Sequence, residues 1–331
     1  MPSFLVIQTA FIGDVILATP VVEALHSEYP RASIDFLLRK GNEGLLKEHP
    51  HISHVYIWDK KNGKYGNMLR IIGTIRKAKY DAVINLHRFL NTGLVTVLSG
   101  AKETVGFTKN PLSMFFSKRI PHVIDISQGR IHEIDRNLTL IRHLVKDKSR
   151  INPRLYPSKA DFTRTSMAQP YVTVSPTSVW FTKQYPPDQW VHFIDLIDSS
   201  TTVYLLGALS DIMACETIKS KVSHGNVQVL AGKLSFLESA ALMKHAIMNY
   251  TNDSAPLHLA SSVDAPVTAV FCSTIPAFGF GPLSSKSHII ETAEKLECRP
   301  CGIHGYRRCP KDHFNCANID PGRLLRTMLL K

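Results

Sequence analysis

The sequence predicts an α/β protein built from two doubly wound lobes, and three observations point to that fold. Short apolar runs typical of buried strands alternate with capped or amphipathic helical segments along most of the 331 residues. This alternation stops at residues 147–169, which are charged and Pro-containing without clean periodicity, and then starts again. The chain is also too long for one ordinary small domain. We therefore expect two Rossmann-like lobes facing each other across a cleft.

The first lobe, predicted over residues 1–150, begins with a central strand. Residues 4–10 (FLVIQTA) form a nearly continuous apolar run, as in a strand of a parallel sheet. Gly13 and Asp14 follow in a turn that leads into a helical pattern, which a proline kinks or restarts. Gly13 lets the backbone approach a ligand closely, and Asp14 lies where α/β sheets bind ligands. The other predicted strands of this lobe are 33–39, 55–59, 80–86 and 103–107, and its predicted helices are 15–25, 65–78 and 130–146.

The second lobe is predicted over residues 170–297, after a linker at 151–169. Its most informative stretch is 249–260 (NYTNDSAPLHLA), which has the pattern of a strand end, a polar turn and a first helical turn. Asp253 and Ser254 are good N-cap residues, and such a helix start can hold phosphate, although ordinary capped turns are common. The other predicted strands are 171–175, 202–206, 227–230 and 267–271, and the predicted helices are 187–197, 211–221 and 235–246.

The positive charge of the chain is concentrated in its first half. Residues 1–160 contain 24 Lys and Arg against 13 Asp and Glu, whereas residues 161–331 contain 15 against 14. This asymmetry favours an anionic partner for the first lobe, such as a phosphorylated lipid, a membrane surface, an acidic sugar or nucleic acid. The alternative is a protein that is basic for no functional reason.

No stretch of the sequence predicts a membrane span or a secretion signal. The chain lacks a run of about 18 uncharged apolar residues, and residues 4–7 are too short for a signal peptide and have no basic residues before them. We therefore expect a cytoplasmic protein. Neither G-x-G-x-x-G after a first strand nor G-x-x-x-x-G-K-[ST] is present, which weakens the case for a nicotinamide-dependent or ATP-hydrolysing enzyme.

Residues 298–331 form a Cys-rich tail that ends in a predicted helix. Four cysteines with His304 and His313 among them lie close together in a loop-rich segment. Because a cytoplasmic location argues against disulfides, the four thiols predict a structural zinc or iron site. The alternative is that they pack against the lobe, since the second pair is spaced too widely for a standard zinc ribbon. The four cysteines are Cys298, Cys301, Cys309 and Cys316. Cys215 and Cys272 are expected to be buried apolar residues.

Four stretches spread over almost the whole chain together resemble the bacterial ADP-heptose:lipopolysaccharide heptosyltransferases, glycosyltransferase family 9. They are residues 13–20 (GDVILATP), 80–86 (YDAVINL), 183–186 (KQYP) and 252–260 (NDSAPLHLA). The resemblance implies the two-lobed GT-B fold and an inverting transfer from an ADP-sugar to a lipopolysaccharide-core acceptor, with no cofactor required for the transfer. It also implies an anionic lipid-linked saccharide as acceptor, peripheral association with the inner membrane and no nucleic-acid partner.

The resemblance implies roles for particular residues, each of which also has a structural alternative. Asp14 matches the proposed base of the family, although it could be only an N-cap. Lys183 and the amides around Ser254 would stabilise the diphosphate, although most lysines are simply solvated. Asp253 matches the donor-binding aspartate, and His258 on the following helix would either bind donor or bond a backbone carbonyl.

Weaker candidates complete the predicted site. Thr177 and Ser178 follow the first strand of the second lobe, where similar proteins line the phosphate site. Glu238 matches a nucleoside-contacting helix, although its spacing from Ser235 is that of a capping box. On the acceptor side the candidates are Gly13, His87 and Arg88.

The sequence departs from the best-known members of the family in three places. Ala255 replaces the usual glycine, residues 271–276 (FCSTIP) replace F-G-P-T-D-P, and the Cys-rich tail is added. The first two put the identity of the donor sugar in doubt. The tail raises a second hypothesis, a protein O-glycosyltransferase, because the autotransporter heptosyltransferases carry an iron-bound cysteine finger. A basic nucleic-acid binder is a third hypothesis, but the basic residues do not interleave with aromatics.

Overall fold

The computed structural model describes residues 1–124 and 131–330. Within these ranges the chain divides into two compact units, the first made of residues 1–124 and 131–156 and the second of residues 157–330. Each unit contains one parallel six-stranded sheet with helices on its faces. In the described residues no helix is long and apolar enough to span a bilayer.

The first unit is a doubly wound sheet with the strand order β3-β2-β1-β4-β5-β6. Its strands are Ser3–Ile7 (β1), Ser33–Arg39 (β2), His54–Trp58 (β3), Ala82–Asn85 (β4), Glu103–Phe107 (β5) and Lys118–Ile120 (β6). Its helices are Ile12–Ile16 (α1), Thr19–Glu28 (α2), Lys64–Ala78 (α3), Leu90–Leu98 (α4) and Glu133–Thr139 (α5). All pairings are parallel, and β1 lies between β2 and β4, which explains why its residues are almost entirely buried.

The second unit repeats this topology with the strand order β12-β11-β10-β7-β8-β9. Its strands are Tyr171–Ser175 (β7), Thr202–Leu205 (β8), Val227–Val229 (β9), Asn249–Asn252 (β10), Val267–Phe271 (β11) and Ser287–Glu291 (β12). Its helices are Lys159–Arg164 (α6), Pro187–Asp195 (α7), Ile212–Lys221 (α8), Phe236–His245 (α9), Ala255–Ser262 (α10) and Pro321–Leu329 (α11). The prediction of two Rossmann-like lobes is confirmed.

Short 3₁₀ helices occupy several of the connecting loops. They are Glu43–Leu45, Ser113–Phe115, Phe181–Lys183, Leu209–Asp211, Pro276–Phe278 and Asn315–Ala317. Phe181–Lys183 carries the candidate lysine after β7, and Ser113–Phe115 lies beyond β5.

The predicted elements differ from the observed ones in a few places. The helix predicted at 15–25 is two helices, α1 and α2, with Pro20 in the first turn of the second. Of the helix predicted at 130–146, residue 130 lies outside the described residues, and residues 131–146 are regularly helical only over α5. The segment predicted as a linker, residues 151–169, contains α6, which begins with a Ser158–Asp161 capping box.

The tail after residue 298 is part of the second unit's core. Cys316, Ile319 and Leu324 are buried in the same apolar cluster as the central strands of that unit. The hydroxyl of Tyr185 donates to Ile319 O at 2.6 Å, and α11 packs against α7. Removing the tail would therefore expose part of the hydrophobic core of this unit.

Candidate functional site

The candidate residues lie at the carboxyl ends of the two central strands of each sheet. In the first unit Asp14 follows β1, and Arg88 follows β4. In the second unit Lys183 follows β7, and Asp253 follows β10 directly. Each pair of strands is adjacent at the point where the strand order reverses. Open α/β sheets bind their ligands at this point.

Asp14 is a half-buried carboxylate in the first turn of α1. Its Oδ2 accepts a hydrogen bond from the backbone N–H of Phe11 at 3.0 Å. Burial raises the pKa of Asp14 to about 6 and the negative charge of Glu133 adds to the shift, against the opposing effects of the Phe11 N–H and Arg88. A carboxylate with a pKa near neutrality is suited to accept a proton from a hydroxyl. Asp14 also caps the helix start, so its structural role is established and is compatible with a chemical one.

A buried network in α5 and the preceding loop includes Glu133, whose charge acts on Asp14. His122 Nε2 lies 3.2 Å from both carboxylate oxygens of Glu133, and Arg136 Nε donates to Glu133 Oε2 at 2.7 Å. The other nitrogen of His122, Nδ1, lies 3.2 Å from Arg88 Nη1. Because the guanidinium donates, Nδ1 is the acceptor and the ring proton is on Nε2, facing Glu133. The network therefore fixes the position of Arg88 relative to α5.

Several cationic side chains lie on the side of the first unit that carries Asp14, and Arg88 and Arg39 are close enough to Asp14 for their charges to interact with it. Lys60 Nζ donates to the carbonyl and hydroxyl of Thr9 at 2.7 and 2.9 Å, and burial together with Arg39 and Lys64 lowers its pKa to about 8. The charge of Arg39 contributes to the lowered pKa of Lys60. Burial lowers the pKa of Arg39 itself, and the nearby Asp14 carboxylate opposes that shift. Like charges held close together repel one another, and a bound anion would relieve that repulsion.

His87 and Gly13 have mainly structural surroundings. Burial, with the charges of Lys60 and Arg88, lowers the pKa of His87 to about 3, so the ring is neutral. Its Nδ1 lies 3.2 Å from Thr9 Oγ1. Gly13 lies inside α1, and its carbonyl accepts from Leu17 N at 2.9 Å.

In the second unit Lys183 and Asp253 form a buried ion pair. Lys183 Nζ lies 2.7 Å from Asp253 Oδ2, and the two side chains are only 14% and 6% exposed. The hydroxyl of Thr274 donates to the same Oδ2 at 2.6 Å. Arg299 in turn donates to Thr274 O at 2.7 Å, which connects the tail to this pair.

Thr182 is the connection point between the lysine loop and the tail. Its N–H donates to Tyr306 O at 3.1 Å, and its hydroxyl oxygen accepts from Tyr306 N at 2.8 Å. Ser273 Oγ donates to Thr182 Oγ1 at 3.0 Å, and Ser273 N donates to Thr182 O at 3.2 Å. Gly305, at φ +73°, approaches so closely that a β-carbon there would lie 3.0 Å from Lys183 Cγ. Thr182 and the tail therefore fix the backbone that presents Lys183.

The start of α10 differs in detail from the expected phosphate site. Ser254 is the N-cap residue, but its side chain makes no capping hydrogen bond. Leu257 N donates to Ser254 O at 3.1 Å, and Pro256 has no N–H. The amides of Ser254 and Ala255 are thus the ones that a phosphate could use. His258 is buried with its Nδ1 unpaired among the described residues, and burial followed by the charge of Lys183 lowers its pKa to about 3.

The remaining donor-side candidates have defined local roles. Thr177 and Ser178 lie after β7, and their carbonyls accept from Asn252 Nδ2 at 3.5 Å and Gln184 Nε2 at 2.9 Å. Glu238 forms the expected capping box with Ser235, whose N–H donates to Glu238 Oε2 at 2.7 Å. Arg164 also pairs with Glu238 at 2.9 Å, so this carboxylate has two structural partners.

The four tail cysteines are free thiols. Cys309 and Cys316 are buried, Cys298 Sγ lies 3.7 Å from His313 Nε2, and burial with nearby Cys298 and Cys309 raises the pKa of Cys301. In the parts of the chain that the structure describes, no three His, Cys, Asp or Glu side chains are arranged to hold a metal ion. Thiolates are suitable zinc and iron ligands, but this arrangement does not fit a metal site. The zinc or iron predicted from the cysteine spacing is therefore not supported by the described side chains of the tail. Cys215 and Cys272 are fully buried, as expected.

Sequence reasoning missed several residues that complete these two sites. They are Arg39, Lys60, His122, Glu133, Thr182 and Thr274. Lys60 and Arg39 had a usable signal, because each follows or ends a strand on the rim that carries Asp14. Glu133 and Thr274 had none, since their roles depend on contacts between distant parts of the chain.

Comparison with known proteins places the chain among sugar-transferring enzymes. The family model described as glycosyltransferase family 9 (heptosyltransferase) matches residues 68–305. Lipopolysaccharide heptosyltransferase 3 of Escherichia coli K12 is 30% identical over 281 residues, which cover 80% of this chain and 81% of that protein.

Solved structures show the same fold at lower identity. ADP-heptose lps heptosyltransferase II of E. coli superimposes with a TM-score of 0.82 at 20% identity, covering 99% of this chain and 98% of that one. A family 9 glycosyltransferase from Veillonella parvula gives a TM-score of 0.83 at 20% identity, covering 99% and 97%. At these sequence identities the superpositions establish only that the fold is shared.

Proposed function

The chain belongs to glycosyltransferase family 9 (heptosyltransferase), and from this premise we propose that it transfers a heptose or similar sugar from an ADP-sugar to a lipopolysaccharide-core acceptor. The observation that carries the proposal is the position of Asp14, Lys183 and Asp253 at the strand-order reversals of their sheets. The two E. coli relatives are both heptosyltransferases of lipopolysaccharide, and one is named for an ADP-heptose donor.

We propose that Asp14 is the general base of an inverting displacement. The acceptor hydroxyl oxygen forms a bond to the anomeric carbon while the bond from that carbon to the diphosphate oxygen breaks. The hydroxyl proton passes to the Asp14 carboxylate, and ADP leaves with the electron pair of the broken bond. A pKa of about 6 leaves Asp14 largely ionised at neutral pH yet basic enough to take the proton as the bond forms.

Lys183 and the start of α10 are proposed to stabilise the leaving diphosphate. The ammonium of Lys183 is already held in place by Asp253, and the amides of Ser254 and Ala255 add the partial positive charge of a helix start. Asp253 and His258 would orient the sugar or ribose hydroxyls, since the buried His258 Nδ1 can accept or donate one hydrogen bond. No step in this proposal uses a metal ion or another cofactor.

The cations around Asp14 are proposed to bind an anionic acceptor. Arg39 lies near Lys60 and Asp14, Arg88 lies near Asp14, and Lys60 and Arg88 both lie near His87. A phosphate or carboxylate of the acceptor would relieve the repulsion among these cations. This chemistry agrees with a lipopolysaccharide-core saccharide. It extends the acceptor side beyond His87 and Arg88.

The protein O-glycosyltransferase hypothesis has less support. It required the cysteine tail to engage a protein partner, whereas the tail is built into the core of the second unit and into the Lys183 loop. The nucleic-acid hypothesis is likewise disfavoured, because family membership makes the chain a glycosyltransferase.

Thermal unfolding with a panel of nucleotides tests the donor. We expect ADP and ADP-heptose to raise the melting temperature by several degrees, since a ligand at a hundred times its Kd adds about 2.7 kcal/mol. UDP, GDP and a random oligonucleotide should have little effect. Equal stabilisation by UDP, or stabilisation by the oligonucleotide alone, would contradict the proposal.

A further inference from the structure

His122 connects Arg88 to α5 at the edge of the first sheet where the strands end. It follows β6, and its ring makes an edge contact with Phe107, the last residue of β5, at a centroid distance of 4.7 Å. Its Nδ1 lies 3.2 Å from Nη1 of Arg88, which follows β4, and its Nε2 lies 3.2 Å from both carboxylate oxygens of Glu133. The side chain of His122 is fully buried. The ring therefore reaches past β5 to join two elements that the sheet keeps apart.

The two partners of His122 determine where its proton lies. A guanidinium can only donate hydrogen bonds, so Nδ1 of the ring accepts the one from Arg88. The ring proton is then on Nε2, from which it is donated to the Glu133 carboxylate. The hydrogen bonds run in one direction from Arg88 to Glu133, and each strengthens the other. One donor of Arg88 is fixed in this way, and the guanidinium has further N–H donors for an anion.

Glu133 is ionised in spite of its burial. Burial raises its pKa, but the hydrogen bonds from His122 and Arg136 and the positive charge of Arg136 together lower it below the ordinary value. Arg136 Nε donates to Glu133 Oε2 at 2.7 Å. A negative charge is thus held in a fixed place in the first turn of α5.

α5 is also tied to α1, the helix that carries Asp14. The side chain of Asn137, which is buried in α5, donates from Nδ2 to Leu17 O at 3.0 Å. Leu17 is the C-cap residue of α1. α5 is therefore bonded to both elements that carry candidate residues of the acceptor side: to α1 through Asn137, and to the loop after β4 through His122.

Glu133 and Arg88 act on Asp14 in opposite directions. Burial is the largest cause of the raised pKa of Asp14, the negative charge of Glu133 adds to it, and the positive charge of Arg88 opposes it. The N–H of Phe11 donates to the same carboxylate and also opposes the shift. Arg39 is a further cation whose charge interacts with Asp14. The basicity of Asp14 therefore depends on charges whose positions the α5 network fixes.

We propose that His122 and Glu133 are positioning residues for the acceptor side of the reaction: His122 orients the guanidinium of Arg88 for an anionic group of the acceptor, and Glu133 holds His122 in place and acts on Asp14 through its charge. The inference rests on the proposed function, since it takes Asp14 as the base and Arg88 as an acceptor ligand. A transfer needs the acceptor hydroxyl at the base, and a small displacement of the bound acceptor slows the reaction strongly. An arginine that is already ordered also loses less entropy when the acceptor binds.

Two substitutions of His122 separate its two hydrogen bonds. His122→Gln supplies an amide donor near the position of Nε2 and loses the acceptor that faces Arg88, whereas His122→Asn supplies an acceptor near Nδ1 and loses the donor to Glu133. We expect His122→Gln to raise the KM for a lipopolysaccharide-core acceptor about tenfold with an unchanged Kd for ADP, and His122→Asn to raise that KM less. His143→Gln is the matched control and should change neither, because His143 lies 2.8 Å from Glu103 in an exposed pair of the same unit.

A double-mutant cycle shows whether His122 acts through Arg88. Arg88→Met removes the guanidinium and should by itself raise the KM for the acceptor. Adding His122→Gln to Arg88→Met should then raise it no further, because the group that His122 orients is already absent. Independent effects that multiply, or a His122→Gln variant no different from His143→Gln, would overturn the positioning role and leave the proposed function standing.

The pH profile tests the role of Glu133. With Asp14 as the base, kcat/KM should rise with pH through the pKa of Asp14 in the free enzyme. Glu133→Gln removes a negative charge and should move this limb to lower pH, whereas Arg88→Met removes a positive charge and should move it to higher pH. Glu103→Gln, which changes a partly exposed carboxylate of the same unit, is the matched control and should leave the limb in place. A limb that Glu133→Gln does not move would overturn the role of Glu133.

A measurement without acceptor separates this inference from the proposed function. Asp14→Asn should raise the melting temperature at neutral pH less in the Glu133→Gln background than in the wild type, because ionised Asp14 is then less destabilising. Stabilisation by ADP, measured on every variant, reports that each is folded. An equal rise in both backgrounds would overturn the charge effect of Glu133 even if the wild-type chain transfers sugar. Absence of transfer by the wild-type chain would contradict the proposed function, and with it the positioning roles that rest on it.

Discussion

Lys183 and Asp253 form an ion pair of 2.7 Å, although β8, β9, β10 and the three helices among them separate the two residues along the chain. The pair joins the loop after β7 to the loop after β10, at the position where the sheet of the second unit reverses its strand order. It thereby places an ammonium group beside the helix start that is proposed to receive a diphosphate.

Removing the lysine should weaken nucleotide binding and destabilise the fold. We expect Lys183→Ala to reduce ADP affinity at least tenfold and to lower the free energy of unfolding by about 2–4 kcal/mol, because a buried carboxylate loses its cation. Calorimetric titration with ADP and denaturant unfolding measure the two effects. Lys221→Ala is the matched control, since Lys221 forms an exposed 3.0 Å pair with Asp188 and should cost less than about 1 kcal/mol. Equal effects of the two variants would contradict the account.

Asp14 should make the protein less stable as the pH rises. Its pKa in the folded chain is about 6, above the ordinary value of 3.8, so the folded state resists ionisation of this group. Below about pH 3.8, the ordinary pKa of an aspartate, Asp14 is protonated in both the folded and the unfolded chain and does not affect stability. As the pH rises from there towards 6, the unfolded chain ionises first and the free energy of unfolding falls. Asp14→Asn does not ionise and should therefore gain about 1–3 kcal/mol over the wild type between about pH 4 and pH 8.

The melting temperatures of both proteins across this pH range check the prediction. Asp81→Asn is the control of opposite sign, because a hydrogen bond from Lys102 and the N–H of Ser3 lower the pKa of Asp81. The melting temperature of that variant should fall relative to that of the wild type as the pH rises. A difference between Asp14→Asn and wild type that does not change with pH would show that Asp14 has an ordinary pKa.

Thr182 should act as a positioning residue for Lys183. Thr182→Val keeps the shape but removes the hydroxyl that bonds Tyr306 and Ser273, so we expect a loss of about 1–3 kcal/mol in stability. The KM for the donor should rise more than kcat falls, because the ammonium is displaced while the base is untouched. Thr182→Ser should restore both. If the valine variant loses stability with an unchanged KM, Thr182 is only structural.

The cysteine tail offers a direct test of the predicted metal. Because the described Cys and His side chains of the tail are not arranged to hold a metal ion, we expect elemental analysis of the purified protein to find less than one zinc or iron per chain. One metal per chain that Cys301→Ser/Cys309→Ser removes would contradict this expectation and support the prediction made from the cysteine spacing. The control is Cys215→Ser, which changes a buried thiol outside the tail. A fully folded protein without metal would mean that the four thiols only pack against the second unit.

The strong signals in the sequence are those of the buried strands and the helix caps. β1, β2, β7 and β11 are predictable because strands covered on both faces are continuous apolar runs. The capping box of Ser235 and Glu238 is likewise visible from its spacing. Asp14 and Asp253 are placed at strand ends by the same signals, whereas Lys183 is singled out by the resemblance of residues 183–186 to the family.

Other elements carry little local signal. β6 has three residues with the sequence KRI and an exposed surface, and the edge strand β12 is only half buried, so neither shows an apolar run. α4 escapes prediction because glycine and β-branched residues give it low helix propensity. The partners of the site are harder still, since Thr182 and Tyr306 share a hydrogen bond across 124 positions of the chain. Only the fold brings such residues together.

The most direct test of the account is the transfer of sugar by Asp14→Asn from ADP-heptose to a lipopolysaccharide-core acceptor, with donor affinity measured on the same preparation. We predict that the wild-type chain releases ADP and forms the glycoside, and that the variant binds ADP-heptose with a similar Kd but transfers at least about a hundredfold more slowly. Transfer by Asp14→Asn at the wild-type rate, or equal loss of donor binding and transfer, would contradict the assignment of Asp14 as the base.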